Sequence, residues 1–341
     1  MKPLSKILPL LFLLSLALLP ISCENDEDNY TGPWHEVPTP GGIGQLNSCY
    51  FNSPDDGWAC GHDGTGEGKM IFIHWDGVEW KEHEYPGWFD AYGTVKKMDI
   101  SDVFFTSPDD GWAVGFVRLD NDDFFGFVLR YDGNDWYLFE KDVTFYEIYG
   151  ISENDVWFIG NSSYDSDLYH WNGTEFEYYN LNPGNCGLDA IAFGSANDGL
   201  AVGYYKYVYH WDGVSWDLIN YDYGGELSCV AYDTPSTAFI GGDELRRWEN
   251  GELTWYLDYT GTYNGLHFSH PDEGWMYGGE PVEGIPQGEG FIWHWDGAVW
   301  TRASRPYFMF PWDIFSIDYN DAWAVGIDDH GNCGSWMYVP Q

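Results

Sequence analysis

One short phrase recurs along the chain, and this repetition limits the possible folds more than any other feature. It is SPDDGWACG at 53–61, SPDDGWAVG at 107–115, SANDGLAVG at 195–203 and PDEGWMYGG at 271–279. Repeats spaced by roughly 40 residues and marked by turn signals predict a propeller or a solenoid. Aligned on its large apolar residue, here called the first anchor, the phrase occurs at Trp58, Trp112, Trp157, Leu200, Phe239, Trp275 and Trp323.

A second phrase follows each of the first six copies, for example HWDGVEW at 74–80 and HWDGVSW at 210–216. Asp-Gly between apolar strands favours a type I′ hairpin, because both central residues take positive φ there. Each repeat is therefore expected to hold four strands, and one four-stranded sheet per repeat is a propeller blade. In the second repeat the predicted strands are 98–105, 111–116, 125–131 and 135–141.

The two ends of the chain complement one another. The seventh repeat stops in its third strand at SWMYVPQ, whereas TGPWHEVP at 31–38 matches DGVEWKEH at 76–83. Residues 33–38 should therefore pair with 335–339 as the missing outer strand. The sequence predicts an all-β fold, a closed seven-bladed propeller of four-stranded blades over 34–341. An open solenoid, the alternative, would need capping ends. The second anchors are then Trp34, Trp80, Trp136, Phe176, Trp216, Trp255 and Trp300.

The anchors recur once in each repeat, and so does one position held by histidine or arginine. This periodicity favours structural roles for both sets of residues. We expect the anchor tryptophans to pack between blades instead of binding sugars. The histidines and arginines share one framework position and are expected to be structural. They are His74, His170, His210 and His294, with Arg130 and Arg247 in two further blades.

The N-terminus predicts export. A basic start and an apolar run of 13 residues, shorter than the ~20 needed to span a membrane, predict a signal peptide over 1–22. LPISC resembles a lipobox, which implies that Cys23 is lipidated, and 23–33 is an acidic tether. The expected location is the bacterial cell envelope, lipid-anchored at the outer membrane or cell surface. Ordinary cleavage near Ser22 and an uncleaved anchor are the alternatives.

A formal net charge of −41 argues strongly against nucleic-acid partners, because phosphate backbones repel such a chain. The acidity fits either calcium and cationic partners or a solvated surface. LDNDDF at 119–124 offers Asp120, Asp122 and Asp123 to calcium, without the glycine and terminal glutamate of an EF-hand loop. A solvated loop is therefore the favoured interpretation of this segment, calcium binding is the alternative, and no cofactor is expected.

DGWAVG followed by HWDGxxW resembles bacterial repeat propellers and, more remotely, the photosystem II stability/assembly factors and the sialidase-like Asp-box propellers. The resemblance implies a fold, not an activity. A sialidase needs three converging arginines, and the six arginines of this chain do not match that pattern. No catalytic residue is assigned.

Cys49 and Cys60 lie symmetrically about the SPDDG turn. We expect them to face one another across the first hairpin at a distance that suits a disulfide, with two buried thiols as the alternative. The pairing of Cys186, Cys229 and Cys333 stays open.

Ligands of a propeller are expected on the face whose loops vary, because variable loops on a rigid scaffold concentrate binding. Loops 85–93 and 305–313 hold aromatics outside the framework, and ring closure would bring them to one sector. That candidate site comprises Trp88, Phe89, Tyr92, Tyr307, Phe308, Phe310 and Trp312, beside Asp328 and Asp329. The alternative is that these loops bury their own aromatics.

The function predicted from these features is a monomeric, lipid-anchored binding or assembly module of the envelope, with a protein or glycan partner. Contact with the membrane would be through the lipid alone. The alternative is a secreted glycan-active enzyme, a glycoside hydrolase or lyase of the propeller class.

Overall fold

The computed structural model describes residues 33–65, 68–84, 95–121, 123–141, 144–162, 165–181, 187–220, 222–257, 261–282, 285–304, 310–319, 321–328 and 331–339. These residues form seven antiparallel four-stranded sheets, one for each repeat. Within these ranges, no helix is long and apolar enough to cross a membrane. The predicted seven-bladed propeller is confirmed.

Each blade runs from an inner strand at the central channel to an outer strand at the rim. The first four blades are β2 (Gln45–Ser53), β3 (Asp56–His62), β4 (Met70–Trp75) and β5 (Trp80–Glu82); β6 (Val95–Ser107), β7 (Asp110–Leu119), β8 (Phe124–Tyr131) and β9 (Trp136–Lys141); β10 (Phe145–Ser152), β11 (Asp155–Ser162), β12 (Asp165–Trp171) and β13 (Phe176–Tyr179); and β14 (Leu188–Ser195), β15 (Asp198–Gly203), β16 (Tyr207–Trp211) and β17 (Trp216–Asn220).

The remaining blades use the rest of the chain and its first strand. They are β18 (Leu227–Thr234), β19 (Thr237–Gly242), β20 (Leu245–Glu249) and β21 (Glu252–Leu257); β22 (Thr262–His270), β23 (Glu273–Val282), β24 (Ile285–Trp295) and β25 (Trp300–Arg302); and β26 (Phe310–Asp318), β27 (Asp321–Ile327), β28 (Cys333–Tyr338) and β1 (Trp34–Val37).

The ring closes as the complementary ends predict. β1 pairs antiparallel with β28, from Trp34 opposite Tyr338 to Val37 opposite Ser335. The Val339 N–H extends the pairing by donating to the Pro33 carbonyl at 2.6 Å. β1 therefore removes the exposed edge that a three-stranded last blade would leave.

The first anchors are buried between blades, as expected. All seven are at most 2% exposed. Trp58 of the first blade stacks on Phe105 of the second. Trp323 of the seventh blade stacks on Phe51 of the first. Each blade thus presents its anchor to the next one around the ring, and the contact across the closure is of the same kind.

One second anchor was wrongly assigned. Trp255 is 58% exposed, whereas Leu253 pairs with Trp248 just as Trp80 pairs with Trp75. The reason lies in the preceding turn. Glu249 pairs with Glu252 across a two-residue turn, Asn250-Gly251, which moves the anchor position two residues earlier than the phrase suggests.

Among the turns of the second phrase, only this one has the predicted type I′ geometry, with positive φ at both Asn250 and Gly251. In the first blade the turn spans 76–79 and only Gly77 has positive φ. Here the Asp76 carboxylate accepts the N–H groups of Val78 and Glu79, both at 3.0 Å. A side-chain cap of this kind replaces the second positive φ, so the type I′ prediction was wrong for the Asp-Gly turns.

The expected register of Cys49 and Cys60 is also wrong, by one residue. Cys49 lies opposite Ala59, and Cys60 lies opposite Ser48, so the two side chains point to opposite faces of the sheet. Both are free, buried thiols. A β-bulge in β2 shifts the pairing, and hairpin symmetry alone does not reveal it. Cys229 and Cys333 are free thiols too, while Cys186 lies outside the described residues.

Candidate binding face and central channel

The antiparallel order gives the propeller two unlike faces. The SPDDG and Asp-Gly turns share one of them, the turn face, where the Trp75 indole N–H donates to the Pro54 carbonyl at 3.0 Å. The inter-blade connections and the loops between second and third strands lie on the opposite side, the loop face. The repeated phrases thus build the regular face and leave the variable loops together.

The framework histidines and arginines join the strands at the turn face through acidic side chains. His74 Nε2 lies 2.7 Å from Asp56 Oδ1, and the Arg130 guanidinium lies 2.8 Å from Asp110 Oδ1. Equivalent pairs join His170 to Asp155, His210 to Asp198, Arg247 to Asp233 and His294 to Glu273. Their structural role, predicted from their periodicity, is confirmed.

Every inner strand carries a β-bulge near its loop-face end. In β2 the register shifts between Leu46 and Ser48, and the other six strands shift at the equivalent place. The bulge explains the last glycine of the repeated phrase: a Cβ on Gly61 would clash with the Gln45 carbonyl, and one on Gly326 with the Phe310 carbonyl. The bulges turn extra side chains toward the channel. The bulged residues are Asn47, Ser101, Tyr146, Asp189, Ser228, Asn264 and Trp312.

Four carboxylates line the channel at or beside these bulges: Asp102, Glu147, Asp189 and Asp313. Two of them join neighbouring blades. Asp102 accepts the Ser48 hydroxyl at 2.7 Å and the Ile148 N–H at 2.8 Å, and Asp313 accepts the Cys49 N–H at 2.9 Å. These bonds give Asp102 and Asp313 a structural role.

Glu147 and Asp189 differ from them. Among the described residues, no group donates a hydrogen bond to Glu147, and Oδ2 of Asp189 is buried without a partner. Burial raises the pKa of Glu147, and the nearby Asp102, Asp313 and Asp189 raise it further. Burial, followed by the charge of Glu226, raises the pKa of Asp189 to about 7. These two carboxyls are the groups that the channel offers to a ligand.

Below the carboxylates, aromatic rings line the part of the channel nearer the turn face. Tyr50 lies 4.7 Å from Phe315 and 4.9 Å from Phe104, measured between ring centroids, and Tyr149 continues the row. His267 packs 4.1 Å from Phe315, and burial lowers its pKa to about 4, so it is neutral at pH 7. The cavity at this level has a volume of about 290 Å³, and the acidic part above it about 190 Å³.

The predicted aromatic sector is described in part. Trp312 is the bulged residue of β26, is 45% exposed and lines the channel mouth, where its carbonyl accepts the Tyr277 hydroxyl. Phe310 is partly buried opposite Ile327, next to Asp328 at the same end of the blade. The rest of the predicted sector lies outside the described residues: Trp88, Phe89, Tyr92, Tyr307, Phe308 and Asp329.

The proposed calcium loop shows no ligand arrangement in its described part. The Asn121 amide donates to the Asp123 carboxylate at 2.7 Å. Asp122 lies outside the residues that the structure describes. No group of three or more metal-binding side chains occurs among the residues that the structure describes. Calcium binding by Asp120, Asp122 and Asp123 stays a prediction.

Two features of the loop face were missed at the sequence level. The sequence held a signal for the channel carboxylates, which is their periodicity. Asp102, Glu147 and Asp313 stand at equivalent positions in their repeats, each directly after the bulged residue. The second feature is a cluster of exposed tyrosines between the fourth and fifth blades, from the segments GYYKY (203–207) and DYGGE (222–226). Both segments depart from the repeat, which is the signal that could have identified them.

Comparison with known proteins shows the fold and nothing finer. No family model and no curated protein matches the chain. Among solved structures, YCF48 from Cyanidioschyzon merolae is 14% identical with a TM-score of 0.63, covering 90% of this chain and 99% of that one. YCF48 bound to D1 peptide is 15% identical with a TM-score of 0.61, covering 92% and 97%. The WD40 repeats of RRP9 are 12% identical with a TM-score of 0.61, covering 90% and 98%. These likenesses show that the chain shares the β-propeller fold of these proteins.

Proposed function

We propose that the protein is a lipid-anchored binding module of the bacterial envelope that presents its loop face to a partner. The observation that carries this proposal is Trp312, which is 45% exposed at the mouth of a channel lined by carboxylates. Large exposed aromatics beside polar groups are typical of interaction sites. The rigid ring beneath holds Trp312 in place, because β26 is paired along its length with β27.

A protein partner is favoured over a glycan. A propeller with this fold has been solved with a peptide bound, the YCF48 complex with D1 peptide. The acidity of the chain supports the same choice. Carboxylates attract the basic side chains of a protein partner, whereas they contribute little to stacking on neutral sugars.

Replacing Trp312 by alanine is expected to weaken binding of the native partner at least tenfold, since central interface tryptophans often contribute ~2 kcal/mol or more. The partner would first be captured from native envelopes on the immobilised protein and then titrated by calorimetry. The matched control is Trp255→Ala, which removes an exposed tryptophan from an outer strand. The double variant Trp88→Ala with Trp312→Ala tests the whole predicted sector. Unchanged affinity in both loop-face variants would contradict the site.

Replacing Cys23 by serine is expected to move the protein out of the membrane fraction or leave the precursor uncleaved. The reason is that a lipobox implies lipid attached through the thiol of its cysteine, and stable anchoring takes more than one chain. Fractionation and mass spectrometry of the mature N-terminus check this. An unmodified N-terminus at another residue would refute the anchor without affecting the binding proposal.

A glycan-active enzyme is the second candidate, and the channel carboxyls favour it. Burial raises the pKa of Glu147, which keeps a carboxyl protonated as a general acid requires. Purified protein would be assayed on envelope and marine polysaccharides, with Glu147→Gln beside it. Turnover that disappears in this variant would replace the binding proposal.

A further inference from the structure

Three tyrosines form an exposed platform on the loop face between the fourth and fifth blades. Tyr204 is 52% exposed and Tyr223 is 71% exposed, with the partly buried Tyr205 between them. Ring centroids lie 6.0 Å apart for Tyr204 and Tyr205, and 5.1 Å apart for Tyr205 and Tyr223. We call these three residues the tyrosine platform. It is far around the ring from Trp312, which belongs to the seventh blade.

An unusual turn presents the platform. Tyr205 and Lys206 both have positive φ, 54° and 51°, although neither is glycine. This conformation is strained for residues other than glycine. The Lys206 ammonium offsets the strain, because it is buried and lies 2.8 Å from the Glu244 carboxylate of the fifth blade. The Asp222 N–H also donates to the Tyr205 carbonyl at 2.6 Å. Strain maintained in this way is typical of functional segments.

The surroundings of the platform are acidic. Tyr204 forms a β-bridge with Glu226, and the Glu226 N–H donates to the exposed Asp243 carboxylate at 3.0 Å. Burial raises the pKa of the Glu226 carboxyl, and the negative charge of the nearby Asp243 raises it further. Lys206 and Arg246 are both bound to Glu244. Exposed tyrosine rings thus lie beside Glu226 and Asp243, and no salt bridge to either carboxylate occurs among the residues that the structure describes.

The platform also adjoins the channel mouth. Its Tyr204 side chain packs over Gly187, two residues before Asp189. Asp189 in turn is close enough to Glu226 for the two charges to interact. An acidic path thus runs from the platform to the channel.

We propose that the tyrosine platform binds a basic peptide segment, with an arginine side chain over the tyrosine faces and Glu226 and Asp243 as its counter-charges. Guanidinium groups stack on aromatic faces and pair with carboxylates, so one side chain satisfies both features. Charge decides between this ligand and a sugar, because the chain carries a net charge of −41 and the two carboxylates repel one another unless a cation lies between them. This inference rests on the proposed binding function and specifies the chemistry of the partner.

The test uses a fluorescein-labelled octapeptide of alternating arginine and glycine, titrated at 150 mM salt, a concentration close to physiological that screens non-specific attraction. Tyr204→Ala with Tyr223→Ala is expected to weaken binding by about tenfold, since each exposed cation–π contact is worth a few-fold. Tyr204→Phe with Tyr223→Phe should keep most of the affinity, because it retains the faces. Glu226→Gln with Asp243→Asn should weaken binding to a similar extent as the alanine pair.

The matched control is Tyr137→Ala with Tyr178→Ala, which removes two exposed tyrosines from outer strands. It should bind like the unaltered protein. Equal affinity for all variants, or equal affinity for a peptide with citrulline in place of arginine, would overturn the proposal. Binding of cellohexaose that is lost with the alanine pair, while the arginine peptide is unaffected, would make the platform a sugar site instead. Because Trp312 is unaltered throughout, failure here is distinguishable from failure of the proposed loop-face function.

Discussion

A chain that begins at residue 45, and so lacks β1, is expected to unfold at a markedly lower urea concentration than the full chain, or to aggregate. It would lose the pairing of Trp34–Val37 with β28 and would expose the edge of a three-stranded blade. It would also lose Trp34, which is fully buried 5.3 Å from the Trp275 ring and 5.4 Å from the Tyr338 ring.

The single replacement Trp34→Ala isolates the packing part of this effect. Burying a tryptophan side chain of this kind is worth about 3–5 kcal/mol of unfolding free energy. Trp255→Ala, on the exposed rim, should cost well under 1 kcal/mol. Equal urea midpoints for the truncated and full chains would show that the ring does not depend on β1.

The second large effect is expected in the pH dependence of stability. Burial raises the pKa of Asp313 to about 7, and the neighbouring Asp102 contributes. The ordinary aspartate value is near 4. A carboxyl whose pKa is raised in the folded state stabilises the protein fully below the unfolded value, and this stabilisation is lost as the pH rises through the folded value. The relevant window is therefore about pH 4 to 7.

Asp313→Asn should accordingly be less stable than the unaltered protein at pH 4.5, because the amide cannot accept both the Cys49 and Ile314 N–H groups. At pH 8 this deficit should shrink by about 2–3 kcal/mol, allowing for water that reaches the channel. Taking the difference between the two proteins cancels the opposite contribution of His267. Urea denaturation at both pH values measures the change.

Asp217→Asn, an exposed aspartate of the outer strand β17, is the matched control and should alter stability little at either pH. A deficit for Asp313→Asn that is the same at pH 4.5 and pH 8 would mean that Asp313 ionises normally in the folded protein.

The architecture follows from the repeats alone. A repeated anchor that must be buried, with a turn on each side of it, gives one blade per copy, and the complementary ends at Trp34 and Tyr338 close the ring. These features are periodic, and periodicity is a property that one chain displays without any structure. The structural role of the framework histidines and arginines was predictable for the same reason.

The candidate site was predictable only in part. Trp312 was identified because it departs from the framework, and the structure places it at the channel mouth. The tyrosine platform departs from the framework as well, but GYYKY gives no sign that Tyr204 lies beside Glu226. That contact depends on the positive φ values of Tyr205 and Lys206, which a buried ion pair to another blade makes possible.

Tertiary structure decided the features that depend on register. The bulge of β2 beside the SPDDG turn moved Cys49 and Cys60 to opposite faces, and the bulges near the loop face turned Asp189 and Trp312 toward the channel, although the strands themselves were correctly placed. A two-residue turn likewise made Leu253 the anchor in place of Trp255. The physical reason is that side chains alternate along a strand, so one extra residue reverses every face after it. The position of that residue depends on contacts between blades, which the local sequence does not specify.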